Sequence, residues 1–315
     1  MIAALWLVVA IAVVALQFSL DAKERRELGL NTAERGVGRA AALGAMALVQ
    51  ERIETALRDA AALNRGNVTA LRASDPLLNV DSLYSGTLSV DSLTVDVRAE
   101  DLGSYININI GMAETEWRQF FNYVLKDDER ADSLAQAIMD WRDIDDNARE
   151  KGGEHDDYVK AGLLALPANA DFREPSDLLL VKGMTPDVYA MVSPYLTTRG
   201  TGIVDLNNAP VPVLWSLPGM NDAIVAQILQ MRSGGQRITS VAEVVGRTQG
   251  RQRLTPAQAA AGNQAATRLA GRAGVNANEI QLTITARTAP QAEPVKLYAI
   301  LQRAGTNMQV TWRVW

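Results

Sequence analysis

Cysteine is absent from the 315 residues, and histidine occurs once, as His155. The first absence removes disulfides, thiolate nucleophiles and cysteine-based zinc sites together, and it leaves the redox compartment unreadable. The second leaves a Ser-His-Asp triad one residue to use. His155 sits between Glu154 and Asp156 in a glycine-rich polar stretch, which suits a solvated loop better than a catalytic base. The chain is therefore read as non-enzymatic. Positive charge is not in excess either: 31 basic against 36 acidic side chains give a net charge of −5 and a pI near 5.1. A general nucleic-acid binder needs a surplus of Lys and Arg to displace counterions, so no nucleic-acid partner is expected.

Charge is missing altogether from Met1 to Leu20, where Gln17 and Ser19 are the polar side chains. About 20 apolar residues is the length that crosses a bilayer core as a helix. A buried core helix would carry a polar stripe, and this segment has none. A cleavable signal peptide would need a basic start and a small-residue cleavage site, and neither is visible. Residues 1–20 are expected to form a transmembrane segment, with Leu5, Trp6 and Leu16 on its membrane or assembly surface.

Proline is missing until Pro76, so nothing breaks a helix that starts in the apolar run. Leu43, Met46, Ala47, Val49, Ile53, Ala56, Leu57 and Ala60 recur at intervals of three and four, an amphipathic face. Residues 21–64 are read as the continuation of one helix of about 60 residues, roughly 90 Å long. Gly29, Gly36, Gly38 and Gly44 weaken it by up to ~1 kcal/mol each.

Residues 64–87 are rich in turn formers and read as a surface connection. Leu88, Val90, Leu93, Val95 and Val97 mark a strand whose phase breaks near Ser92. Asp101-Leu102-Gly103 reads as a turn, and Tyr105 to Ile110 alternates strictly, which predicts a hairpin. Helical patterns follow at Trp117–Leu125, Leu134–Trp141, Asp177–Leu180, Pro186–Tyr195, Val211–Leu217, Asp222–Met231 and Thr239–Val245. An Ala-rich helix is expected from Thr255 to about Leu269. The C-terminus alternates again in three short runs, the pattern of an antiparallel meander. Early and late strands are expected to share one sheet. The division is then residues 65–110 as the first part of a sheet domain, 111–278 as an inserted α-helical domain, and 279–315 as its last strands.

The whole net charge is local. Asp140, Asp143, Asp145, Asp146, Glu150, Glu154, Asp156 and Asp157 face only Arg142, Arg149 and Lys151, a net of −5 within 18 residues. Calcium takes six to eight oxygens, often from loop carboxylates. Gly152-Gly153 would let the chain turn back so that Asp143, Asp145 and Asp146 meet Glu154, Asp156 and Asp157. The spacing is not that of an EF-hand, and a solvated acidic loop stays open beside a calcium site. A weak internal repeat relates Leu179–Asp187 to Leu214–Asp222; the second copy looks like a helix-hairpin-helix unit, whose glycine-rich hairpin can present backbone N–H groups to a phosphate. Asn221 stands where its second glycine is usual and the flanks are not basic, so a packing corner is the competing reading.

Together these motifs resemble the minor pseudopilins of bacterial type II secretion systems, the large GspK kind. The likeness is carried by the apolar start running into a long helix, by Tyr105-Ile106-Asn107-Ile108-Asn109, and by the acidic stretches Ala137–Asp146 and Gly152–Tyr158. The most specific match is Gly200-Thr201-Gly202-Ile203-Val204-Asp205-Leu206-Asn207-Asn208-Ala209-Pro210 followed by Leu217-Pro218-Gly219-Met220. The resemblance implies an α+β pilin-like fold, a long N-terminal helix on an antiparallel sheet with a large helical insertion. It implies one inner-membrane span with the soluble part in the periplasm, processing by prepilin peptidase, methylation, and contact with the inner-membrane assembly platform. Partners would be the I and J kinds of minor pseudopilin, linked through the H kind to the major pseudopilin. Calcium in the inserted domain is also implied. Met1 would be the mature first residue; most pilins carry glutamate at position five, where this chain has Leu5, an exception expected of the K kind. The alternative is a membrane-anchored helix-hairpin-helix DNA-binding protein of a competence system.

Overall fold

The uninterrupted, proline-free start becomes one helix, α1, from Ile2 to Leu63. The computed structural model describes residues 2–163, 165–248, 264, 266–289 and 291–315. The expected Ala-rich helix at 255–269 falls largely outside them. The side chains of residues 1–5 and 7–10 also lie outside, and with them the expectations for Met1 and Leu5. Trp6 and Leu16 are described, and both are exposed. Among the described residues no helix is long and apolar enough to cross a membrane.

The sheet that receives α1 has five strands: β1 (Gly86–Val90), β2 (Leu93–Asp101), and, after the insertion, the three C-terminal strands Glu279–Ala286, Val295–Ala304 and Asn307–Val314. All neighbours are antiparallel, in the order in which they have just been named. Early and late strands do share it. Alternation puts Val95, Val97 and Ala99 on one face beside Ile280, Leu282 and Ile284 and then Leu297, Ala299 and Leu301. Against that face α1 lays Ala42, Ala45, Met46, Val49, Ile53 and Leu57. Each fully buried large aliphatic side chain contributes about 1.5–3 kcal/mol. Ala47, expected on this face, is exposed, and Ala42 and Ala45 take its place. The glycines of α1 divide by position. A Cβ on Gly44 would lie 2.9 Å from Val90 Cγ1, so its absence lets helix and sheet approach, whereas Gly29 and Gly36 have nothing within 4 Å.

Two expectations are corrected here. The phase break at Ser92 is itself the hairpin: Val90 pairs with Leu93 across Asp91, which sits at φ 51. Asp101-Leu102-Gly103 is instead the exit from the sheet, a 3-10 turn at Leu102–Ser104. The next strand, β3 (Ile106–Asn107), pairs in parallel with β4 (Leu196–Thr197) in the insertion. Strict alternation misled because Asn107 and Asn109 are held by side-chain bonds rather than by a ladder: Asn107 Nδ2 donates to Gly200 O at 2.6 Å and Asn109 Nδ2 to Phe172 O at 2.8 Å. The second correction concerns residues 64–87. They form short helical turns at Val68–Ala73, Pro76–Asn79 and Val80–Tyr84, and Leu77, Val80 and Tyr84 are buried in the sheet core.

The insertion has its own core. It is built from α2 (Glu114–Leu125), α3 (Asp128–Arg142), α4 (His155–Lys160), α5 (Pro186–Val192), β5 (Val204–Asp205), α6 (Val211–Leu214), α7 (Asp222–Ser233), α8 (Val241–Thr248) and β6 (Ala273–Gly274). β5 and β6 pair in parallel. Trp117 stacks on Phe121 at 5.7 Å between centroids, and Trp141 on Phe172 at 6.1 Å. The change from one core to the other falls between Ala99 and Ile106 on the way in, and between Ala273 and Ala277 on the way out. The architecture is α+β, a long helix on an antiparallel sheet with an inserted helical unit.

Candidate functional site

The acidic stretch leaves the end of α3 and returns into α4. Its organising residue is Asp140, which the periodicity of α3 buries completely among Ala137, Ile138 and Trp141. Asp140 Oδ2 accepts from the backbone N–H of Arg149 at 3.0 Å and of Gly153 at 2.7 Å. Its Oδ1 accepts from Arg149 Nη1, which also donates to Asp143 Oδ2 at 2.7 Å. The double glycine has a steric cause: a Cβ on Gly152 would lie 2.0 Å from Asp140 Oδ2. Lys182 Nζ donates to Gly152 O at 2.5 Å and Lys151 N to Gln136 Oε1 at 2.7 Å, so the loop is fastened at several points.

The six expected ligands separate into two groups. Glu154 is 5% exposed, and Asp143 is half-buried beside Arg149. Burial pushes the Glu154 carboxyl up to about 7, and the charges of Asp140, Asp143, Asp146 and Asp145 add to it. Glu154 therefore feels Asp143, Asp145 and Asp146 as near neighbours. Glu154 Oε1 and Asp143 Oδ1 are buried with no hydrogen-bond donor. Asp145 is turned to its own turn, accepting from Asn147 N at 2.9 Å and Nδ2 at 2.8 Å, bonds that lower its pKa. Asp156 and Asp157 do not join: Asp156 is exposed beside His155, and Asp157 accepts from Glu154 N at 3.2 Å inside the first turn of α4. Among the described residues, no three acidic or histidine side chains converge closely enough to hold a metal.

Of the bases counted against these acids, Arg149 alone is embedded among them. Arg142 is turned away, donating to Asn109 O at 2.7 Å and to Asp171 at 2.9 Å, and Lys151 pairs with Asp132 at 2.8 Å. Sequence reasoning missed Asp140 and Arg149 as the pair that builds the loop. The available signal was an aspartate on the buried stripe of α3, followed by a double glycine.

The motif from Gly200 to Pro210 forms the seam between the two cores. Thr201 N and Oγ1 donate to Glu279 Oε2 at 2.5 and 2.8 Å, joining the insertion to the first late strand. Asn208 Nδ2 donates to Leu78 O at 2.9 Å, across to the segment under the sheet. Asn207 Nδ2 reaches Ile238 O at 3.0 Å and Val275 O at 2.7 Å. Arg199 lies 3.5 Å over the Trp312 ring of the last strand.

The internal repeat is real in geometry. Gly183 and Gly219 both turn the chain at positive φ, 84° and 74°, and Met184 and Met220 after them are buried. Thr185 then caps α5 and Asn221 caps α7, accepting from Val188 N at 3.3 Å and Ile224 N at 3.0 Å. Asn221 thus occupies the N–H that a phosphate would need. Arg232 points inward to Leu206 O and Ala209 O. The DNA-binding alternative finds no support in this hairpin.

Residues 78–200 match the family model described as "Type II secretion system (T2SS), protein K". A 93-residue stretch is 29% identical to the type II secretion system protein K of Pectobacterium carotovorum subsp. carotovorum, and it spans 28% of this chain and 28% of that relative. The fold is similar to a chain in the crystal structure of the GspK-GspI-GspJ complex from the enterotoxigenic Escherichia coli type 2 secretion system. The TM-score is 0.53 at 16% identity, over 84% of this chain and 97% of that one. The comparisons and the sequence motifs point to the same likeness, protein K of type II secretion systems, with the family match confined to residues 78–200 and the curated relative matched over 28% of its length.

Proposed function

We propose that this chain is the large minor pseudopilin at the tip of the type II secretion pseudopilus, where it initiates assembly and then caps the filament during export. One observation carries this reading above the others: the fold follows almost the full length of a chain crystallised with two further minor pseudopilins. The physical parts agree with it. A helix of 62 residues offers a continuous assembly surface, and the helical insertion adds bulk that would block a further subunit above it. The role is structural rather than enzymatic. The partners are the I and J kinds, linked through the H kind to the major pseudopilin. Processing by prepilin peptidase and contact with the assembly platform go with an inner-membrane span at the start of α1 and a periplasmic body. Mixing this chain with the soluble domains of the I and J kinds should give a stable ternary complex in size-exclusion chromatography. A chain that stays monomeric in their presence refutes the assignment.

The acidic loop is proposed to hold calcium, with Asp143 and Glu154 supplying the donorless oxygens and Asp145 and Asp146 the surrounding negative charge. The bound ion would supply the counter-charge that these carboxylates lack and fix the loop. Calcium should raise the melting temperature and a chelator reverse it. Identical melting in both conditions leaves a solvated acidic loop.

A further inference from the structure

Two aspartates meet inside the seam, one from each unit. Asp101 ends β2 of the sheet, and Asp205 ends β5 of the insertion. They are 4% and 1% exposed. Asp205 is well supplied with donors: Oδ1 accepts from Asn207 N at 2.9 Å and Oδ2 from Asn208 Nδ2 at 2.9 Å. Asp101 Oδ1 accepts from Gly103 N at 2.8 Å, but its Oδ2 has no donor. The two residues converge on Gly103, where a Cβ would lie 3.1 Å from Asp101 Oδ1 and 3.1 Å from Asp205 N, so their side chains are close neighbours. Two acceptors cannot bond to each other. Two ionised carboxylates at this separation from water would also repel with little screening.

One proton resolves both problems, and the donor pattern says where it resides. Amide N–H groups favour an ionised acceptor, so Asp205 keeps the charge and Asp101 carries the proton. We propose that Asp101 and Asp205 form a proton-sharing pair that ties the sheet unit to the inserted unit and loosens when the proton is lost. Burial pushes the Asp101 carboxyl well above its ordinary 3.8, and the Asp205 charge pushes it further. Burial raises Asp205 as well, while its bond from Asn207 N and the charges of Arg237 and Arg232 oppose the rise.

The other groups facing the pair do not replace the proton. Asp81 adds negative charge from the short helix under the sheet. Glu279, on the first late strand, is engaged by Thr201. Asp75 is paired with Arg303 and with Asn276 Nδ2 at 2.8 Å. A cleft of about 290 Å³ lined by Asp81, Ser82, Asp101, Ser104 and Asn208 gives the pair a route to water, so the proton can exchange without unfolding. Other bonds of the seam persist after its loss, among them Asn208 to Leu78 and Thr201 to Glu279. The expected response is a looser seam rather than separated units.

The sign of the linkage follows from the raised value. Asp101 binds its proton more tightly folded than unfolded, so its stabilising contribution is complete below 3.8 and is lost as pH rises toward the folded value. The test is thermal unfolding of the full chain as a function of pH, in wild type, Asp101→Asn and Asp205→Asn. The wild-type melting temperature should fall as pH rises above the ordinary 3.8. Asp101→Asn keeps a neutral donor beside Asp205 and should flatten that slope. A cation between the carboxylates would give the opposite sign, with stability lost as pH falls and restored by added calcium; that result overturns the proposal. So does a slope that survives unchanged in Asp101→Asn. If the variant does not fold, carbon-13 carboxyl NMR of the aspartate-labelled wild-type chain replaces it. One aspartate should titrate far above the rest, and a spectrum in which all titrate in the ordinary range refutes the pair.

Discussion

Removing the Asp140 carboxylate should unfasten the acidic loop at its root. Asp140→Ala deletes the acceptor of two backbone N–H groups, those of Arg149 and Gly153, in a fully buried place. Each donor left without a partner costs about 1–3 kcal/mol. Arg149 loses one of two carboxylates but keeps Asp143, and its side chain is 31% exposed, so that part is discounted to about 1 kcal/mol. The sum is about 3–7 kcal/mol, overlapping the ~3–5 kcal/mol for breaking a buried ion pair. At about 2–4 °C per kcal/mol for a body of this size, it corresponds to a melting-temperature loss of roughly 6–28 °C. Asp140→Asn keeps one acceptor and should lose about half as much. The assay is urea unfolding of wild type and both variants, with the exposed Asp146→Ala as a reference expected within ~0.5 kcal/mol of wild type. If Asp140→Ala unfolds within 1 kcal/mol of wild type, Asp140 does not organise the loop and the reasoning fails.

Two further outcomes are expected. Gly36→Ala should stabilise by up to ~1 kcal/mol, because nothing lies within 4 Å of its added methyl and the helix gains propensity. Gly44→Ala, whose Cβ would meet Val90 at 2.9 Å, should gain nothing or lose stability; equal gains at both positions, measured by thermal melts, would count against close helix–sheet packing. Asn221→Ala should cost about 0.5–2 kcal/mol through loss of the α7 cap, while Asn221→Gly should cost only a few tenths; equal losses would show that capping is not its role.

The elements set by period alone were legible. The 3.6-residue stripe of α1, the faces of α2 and α3, and the three late strands all appear where their apolar residues recur. Misreadings arose where side-chain hydrogen bonds do the work of a ladder. Asn107 and Asn109 occupy the polar positions of a strand-like alternation yet bind Gly200 and Phe172, far along the chain. Turn-forming residues at 64–87 gave the right local geometry but hid the burial of Leu77 and Tyr84, a matter of tertiary contact. The candidate site was located by charge density, and its membership was not. Which of six acids shares a field depends on α4 using Asp157 for its own first turn. The Asp101–Asp205 contact joins residues 104 positions apart and leaves no local signature.

The described side chains of α1 from Ile11 to Glu34 are exposed, and Arg35 is tied to the body by an ion pair with Glu293 at 3.3 Å. At 1.5 Å per residue this stretch is a boom about 35 Å long. A pivot at its first turns would let the body sweep a hemisphere of that radius. Gly29, within the boom, meets no packing neighbour, so compliance there would widen the sweep at little energetic cost. In the proposed assembly, capture of a neighbouring subunit would then be a tethered search rather than a free encounter. Its rate would be set by the length and bending stiffness of one helix, and lengthening or stiffening that helix should change the rate without touching any binding surface.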